Sequence, residues 1–220
     1  MHFNGEHLQA ATGGTLVQTA TSGSICTDTR NIQKGDWFLA LVGERFDAHN
    51  FLHKAKELGC AGVIANYVPE GWDIGFIQVS DTLIALQNIA RYARNLYQGR
   101  VIAITGSAGK TTTRALVSTI LQEEGSVLAT KGNFNNHIGL PLTILSATGH
   151  EDFWVLELGM NHAGEIDLLQ EISKPHIRLI TNVGAAHLEG LGSIEGVAKA
   201  KGELFDGATD TDICIVNIDD

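Results

Sequence analysis

Cationic residues are scarce in this sequence: 15 Lys and Arg stand against 25 Asp and Glu, a formal charge of −10. A nucleic-acid surface needs clustered Lys and Arg over the phosphates, so no nucleic acid is expected as a partner. Small anionic ligands are not excluded, because a few local N–H groups and cations can hold them whatever the net charge. Cysteine is also sparse. Cys26, Cys60 and Cys214 are odd in number, far apart and without metal-ligand spacing, which reads as reduced thiols in a cytosolic protein rather than a catalytic or zinc site. No apolar run approaches the ~20 residues of a membrane span, and the N-terminus lacks a signal-peptide core. No membrane insertion and a cytoplasmic location are therefore expected. What is present, 220 residues with 44% apolar and 18% charged side chains, has enough core for one large or two small globular domains.

The most informative stretch is 101–113. Val101, Ile102, Ala103 and Ile104 form an apolar run that breaks at Gly106, and a helical pattern starts at Lys110. A buried strand, a glycine turn and a helix N-terminus follow one another. Free backbone N–H groups in such a turn, aided by the helix dipole, make a concave positive site for a phosphate chain. Lys110 would reach the β- and γ-phosphates and Thr111 would offer its hydroxyl to Mg²⁺. The usual longer pattern has a glycine where Ile104 stands, so this is a shorter turn, and an ordinary strand-to-helix connection is the competing reading.

Residues 1–24 carry little pattern. Beyond them a compact α/β unit is predicted, with strands at 37–42, 61–65 and 76–79 and helices at 51–58 and 82–97. In the last helix Leu83, Leu86, Ile89, Ala90, Ala93 and Leu96 fall at helical spacing. Gln98, Gly99 and Arg100 read as a domain boundary. Beyond it strands at 101–105, 127–130, 153–158, 177–183 and 213–217 alternate with helices at 111–124, 164–172 and 193–205. Such alternation means right-handed crossovers and a parallel sheet covered on both faces, with ligands at the carboxyl ends of its strands. The chain stops just after a strand, as a piece of a longer protein would.

Polar residues at those strand ends are the candidates. Glu157 lies inside an apolar run and needs a cation or hydrogen-bond donors to compensate it. A Mg²⁺ ligand meets that need, and a structural ion pair is the alternative. His187 follows the 177–183 strand, a place that suits a metal ligand, although a lone histidine is more often simply a satisfied side chain. Lys199 and Lys201 near Glu203 read as a solvated charged face. The amide-rich loop Lys131-Gly132-Asn133-Phe134-Asn135-Asn136-His137 could contact phosphate or substrate or could be a plain Asn/Gly turn.

With these residues in view, the chain resembles the Mur ligases, ATP-dependent amide-forming enzymes of bacterial peptidoglycan precursor synthesis, over nearly its whole length. Thr105-Gly106-Ser107-Ala108-Gly109-Lys110-Thr111-Thr112 is similar to the family's short P-loop. Thr27-Asp28-Thr29-Arg30 with Gly35-Asp36 looks like its UDP-sugar-binding domain. Three stretches point within the family to the member acting on UDP-MurNAc-tripeptide and D-Ala-D-Ala: 132–141, 157–166, and 185–193 continuing through 198–203.

The resemblance implies an α/β fold in two parts. A small N-terminal α/β UDP-muramyl-peptide-binding domain spans 1–98, and an incomplete P-loop parallel-sheet ATPase-type domain spans 99–220, with the family's C-terminal domain absent. It implies ATP and two Mg²⁺. Gly106, Ser107, Ala108, Gly109, Lys110, Thr111, Thr112 and Asn135 would bind nucleotide. Thr111 and Glu157 would hold one metal, and His187 with a carbamylated Lys201 the other. Lys110, His187 and Lys201 would be the catalytic set, and Thr29, Arg30, Asp47, His49, Asn136 and Asn161 the substrate contacts. For Arg30 a solvated surface turn is the alternative. A monomer is expected. A sister muramyl ligase, a folylpolyglutamate-type ligase and a non-catalytic nucleotide-binding module are the competing functions.

Overall fold

The computed structural model describes residues 1–43 and 46–220. They form two compact units, Met1–Tyr92 and Ala93–Asp220.

The first unit opens with α1 (Gly5–Thr12), β1 (Thr15–Gln18), β2 (Ile25–Cys26) and β3 (Trp37–Leu39). A hairpin follows, β4 (Val42–Gly43) and β5 (Phe46–Asp47), then a 3₁₀ turn (Ala48–Phe51), α2 (Leu52–Glu57), β6 (Gly62–Ala65), β7 (Gly75–Gln78) and α3 (Thr82–Leu96), which runs on into the second unit. The predicted strand at 37–42 is thus shorter, because Val42 turns away to pair with Asp47. The sheet order is β1-β7-β6-β3-β2. Only β1 runs antiparallel to its neighbour. The segment before residue 24, silent as sequence, supplies both α1 and this edge strand. Asn4 caps α1 through its side chain, and Gly13 ends it in the left-handed region.

Trp37 is fully buried, and its indole N–H donates to Thr21 O at 3.0 Å. Gly62, opposite it in β6, leaves the space the ring fills: a Cβ there would lie 2.5 Å from Trp37 Cζ3.

The second unit contains β8 (Arg100–Thr105), α4 (Lys110–Leu121), β9 (Val127–Ala129), α5 (Gly139–Leu145), β10 (Phe153–Glu157), α6 (Glu165–Ser173), β11 (Ile177–Ile180), α7 (Leu188–Leu191), α8 (Ile194–Gly202), a 3₁₀ turn (Glu203–Phe205) and β12 (Ile213–Val216). Its five strands are all parallel, in the order β12-β11-β8-β10-β9. Alternation along the strands sets the two faces. Ile102, Ile104 and Val155 share a core cluster with Val117 and Leu121 of α4, so Glu157, two residues beyond Val155, points to the α4 side. Tyr97 stacks on the fully buried Trp154 with centroids 3.8 Å apart. Among the described residues no helix is long and apolar enough to cross a membrane.

After β8 the chain moves toward β9 and β10. After β11 it moves the other way, to β12. The carboxyl ends of β8 and β11 therefore flank the crevice where an open parallel sheet places its ligand.

Overpacking at the Trp37 contact gives a test of the first unit. Gly62→Ala should lower its unfolding free energy by about 1–3 kcal/mol in a denaturant melt. Stability unchanged within about 0.5 kcal/mol, the range of ordinary surface substitutions, would show the ring is not seated as described.

Candidate functional site

Gly109, at φ 78°, ends the turn after β8 and N-caps α4. The first closing bond of α4 runs from Thr113 N–H to Gly109 O at 2.9 Å. The N–H groups of Gly109, Lys110, Thr111 and Thr112 thus head the helix without intrahelical acceptors, at its positive dipole end. These four amides form a candidate anion cradle. The N–H groups of Ser107 and Ala108 are already engaged: Ser107 N–H donates to Asn182 O at 3.1 Å and Ala108 N–H to Asn182 Oδ1 at 2.9 Å. Lys110 Nζ donates to Gly106 O at 2.6 Å, folded over the turn it would share with a phosphate.

Glu157 closes the other side. It is 3% exposed, and Oε2 accepts from Thr111 Oγ1 at 3.1 Å. Oε1 accepts from Asn135 Nδ2 at 3.0 Å, and Arg114 Nη1 lies 3.4 Å from Oε2. Arg114 pairs with the carboxylate, and the Thr111 hydroxyl stands beside it. Asn135 reaches the site through Glu157.

Asn136, expected as a substrate contact, holds the start of α5. Its Oδ1 accepts from Ile138 N–H at 3.2 Å and Gly139 N–H at 2.8 Å, and so caps α5. That helix escaped the sequence reading because it begins at a glycine and carries Pro141 in its first turn, where the missing N–H costs nothing. Asn161 is exposed, its N–H held by Glu165 Oε2 at 2.6 Å.

The predicted strand at 177–183 ends at Ile180. Thr181–Val183 leaves the sheet to bond with the phosphate turn: Thr181 Oγ1 donates to Ala108 O at 2.7 Å, and Ser107 Oγ donates to Gly184 O at 3.1 Å. His187, three residues on, is exposed and left-handed at φ 56° at the head of α7.

Lys201 is not on a solvated face. It is 2% exposed, and burial, with the nearby Lys110 charge adding to it, pushes its ammonium down to about 8. Lys199, two residues earlier on α8, is exposed. Among the described residues no group of three or more His, Cys, Asp or Glu could hold a metal.

In the first unit, Arg30 folds back on Asp28, with Nε 2.9 Å from Oδ1 and Nη2 2.6 Å from Oδ2. Its guanidinium is 86% exposed, and the hydrogen bonds it gives hold the Asp28 carboxyl below the usual range. Thr29 beside it is half-buried. His49 is buried with both ring nitrogens engaged: Nε2 accepts from Asn66 N–H at 3.1 Å, so Nδ1–H donates to Asp47 Oδ1 at 2.6 Å. Asn66, missed as sequence, lines a cavity of about 510 Å³ with Thr12, Gln78, Ser80 and Asp81 at the carboxyl ends of β6 and β7.

Comparison with known proteins fits this geometry. Residues 104–220, which hold the phosphate turn, Glu157, His187 and Lys201, match the Mur ligase middle domain. The chain belongs to the Mur ligase family. Over 199 residues it is 45% identical to the UDP-N-acetylmuramoyl-tripeptide--D-alanyl-D-alanine ligase of Escherichia coli (strain K12), covering 90% of this chain and 44% of that one. It is 43% identical over 202 residues to the ligase of the same name from Bacillus subtilis (strain 168), again covering 90% and 44%. A crystal structure of MurF from Acinetobacter baumannii superposes with a TM-score of 0.92 at 39% identity, over 98% of this chain and 49% of that one. MurF from Thermotoga maritima, in complex with ADP, gives 0.83 at 33% identity, over 90% and 46%. The chain thus spans under half the length of these Mur ligase relatives.

Burial of Lys201 predicts a pH dependence. Its folded pKa, about 8, lies below the unfolded value near 10.4, so the folded state binds fewer protons between them and stability rises with pH across that window. In CO₂-free buffer the wild type should gain about 3 kcal/mol relative to Lys201→Met between pH 8 and 10.5. Parallel stability curves for the two proteins would contradict this.

Proposed function

We propose that this chain supplies the substrate-binding and nucleotide-binding parts of an ATP-dependent ligase that joins D-Ala-D-Ala to UDP-MurNAc-tripeptide through an acyl phosphate. The observation that carries the reading is the Thr111–Glu157 pair, 3.1 Å apart, at the head of α4. It places a hydroxyl and a carboxylate beside a four-amide anion cradle.

The chemistry has to bring two anions together. The tripeptide carboxylate attacks the γ-phosphorus of ATP, the bond to the β,γ-bridging oxygen breaks, and ADP leaves. The amine of D-Ala-D-Ala then adds to the acyl phosphate carbon and expels phosphate, losing a proton to form the amide. The Gly109–Thr112 amides and Lys110, released from Gly106 O, take up charge on the phosphate chain. Arg114 and Asn135 hold the Glu157 carboxylate in register.

Thr111 Oγ1 and Glu157 Oε2 fit Mg²⁺, a hard cation that takes few protein oxygens and completes its shell with water and phosphate. Bound there, Mg²⁺ would neutralise phosphate charge. The second proposed pair does not fit a cation unmodified, because Lys201 is itself an amine. Carbamylation would convert it to an anion, and its lowered pKa favours that modification. At about 8, roughly a tenth of the amine is neutral at pH 7, against a few parts in ten thousand for a solvated lysine. His187 would be the second ligand of that metal.

In the first unit, Thr29, Arg30 and Asp47 are the proposed contacts for the UDP-sugar, with His49 acting through Asn66. A domain division at 98/99 places this binding part before the nucleotide part.

Full-length protein assayed for phosphate release should require ATP, UDP-MurNAc-tripeptide and D-Ala-D-Ala together. Lys110→Ala should lower kcat by a factor on the order of 10² or more. Release with folate and glutamate but none with D-Ala-D-Ala would overturn the assignment.

A further inference from the structure

We infer that Asn182 is a positioning residue for the phosphate cradle, and that it locks the turn after β8 to the segment carrying His187 so that the two order as one body. Its Oδ1 accepts from Ala108 N–H at 2.9 Å while its Nδ2 donates to Ala108 O at 3.2 Å. Only a primary amide presents a donor and an acceptor in that fork, and an aspartate would set oxygen against the Ala108 carbonyl. The backbone of the same residue takes the N–H of Ser107 at 3.1 Å. On either side Thr181 Oγ1 donates to Ala108 O at 2.7 Å, and Ser107 Oγ exchanges hydrogen bonds with Gly184, donating at 3.1 Å and accepting at 2.9 Å. The approach is close enough that a Cβ on Gly106, at φ 154°, would lie 1.9 Å from Thr181 Oγ1.

Two consequences follow from this zipper. Toward the ligand, it turns the Ser107 and Ala108 N–H groups away and fixes the peptide that precedes Gly109, so the cradle is confined to the four amides opening α4. Away from the ligand, the zipped residues lead within three positions to His187. Its left-handed backbone costs a non-glycine residue about 1 kcal/mol and persists only where the surroundings hold it. The clamp joins the ends of β8 and β11, the two strands whose onward connections part. Order at the phosphate turn and order at His187 are then one equilibrium.

Only the effect on ligand binding rests on the nucleotide reading above. The experiment therefore has two arms on the 220-residue chain, amide hydrogen exchange of the free protein and calorimetric titration with ADP and Mg²⁺, for wild type, Asn182→Ala and Asn182→Asp. In the free variants exchange should quicken about tenfold in residues 106–109 and 183–192 together, with the first unit and β10 unchanged, as expected when two hydrogen bonds of ordinary strength are lost locally. The dissociation constant for ADP should rise about tenfold in Asn182→Ala, and further in Asn182→Asp, whose carboxylate faces an anionic ligand. If Asn182→Ala fails to fold, Thr181→Val removes one strut and should give the same paired acceleration. Acceleration of the turn alone, of the whole second unit equally, or of neither segment would overturn the inference, as would unchanged ADP affinity in both variants. Wild-type protein that does not bind ADP would instead overturn the nucleotide reading, and the exchange arm would still decide the clamp.

Discussion

A carboxylate taken out of water at the end of a β-strand has to be answered by donors, and the second unit is arranged around that requirement at Glu157. Its main-chain N–H goes to Thr130 Oγ1 at 2.9 Å, and its side-chain oxygens meet Thr111, Asn135 and Arg114. The side-chain partners come from two elements: Thr111 and Arg114 from α4, and Asn135 from the loop before α5. Removing the carboxylate would leave the Asn135 amide without this acceptor and Arg114 without its ion-pair partner.

Charge around the site runs against the balance of the chain. The protein carries −10 overall, yet Lys110, Arg114 and Lys201 contribute to one neighbourhood. Lys201 tolerates burial because its helix is pinned at the C-terminal end. Glu203 accepts from Gly164 N–H at 2.7 Å and Asp167 N–H at 3.2 Å, capping α6, whose own N-cap is a glycine without a side chain. Arg178, buried on β11, donates to Leu204 O at 2.7 Å. A lysine held in a fixed, poorly solvated place has its ammonium destabilised, which favours the neutral amine that the proposed carbamylation would need.

The parallel sheet, the glycine turn that heads α4 and the compensated burial of Glu157 were legible in the sequence because each has a local signature: apolar runs separated by helical periods, Gly109-Lys110-Thr111, and a charge in an apolar strand. What was not legible depends on partners far apart in the chain. Asn182 looks like the end of a strand, and only folding shows that its amide meets Ala108. Lys201 reads as surface because its neighbours Lys199 and Glu203 are polar, yet α8 turns it inward. The pairing of His49 with Asp47 and the Asn66 N–H likewise joins residues seventeen positions apart. α5 was hidden by Gly139 and Pro141, which usually break helices but are tolerated in a first turn.

A crystal structure of this chain with a non-hydrolysable ATP analogue and Mg²⁺ would decide most directly where the phosphates sit. The phosphate oxygens should lie within hydrogen-bond distance of the Gly109–Thr112 amides, with Lys110 turned onto them and the cation held by Thr111 Oγ1 and Glu157. A triphosphate bound elsewhere, or one that displaced Asn182 to use the Ser107 and Ala108 amides, would contradict this placement.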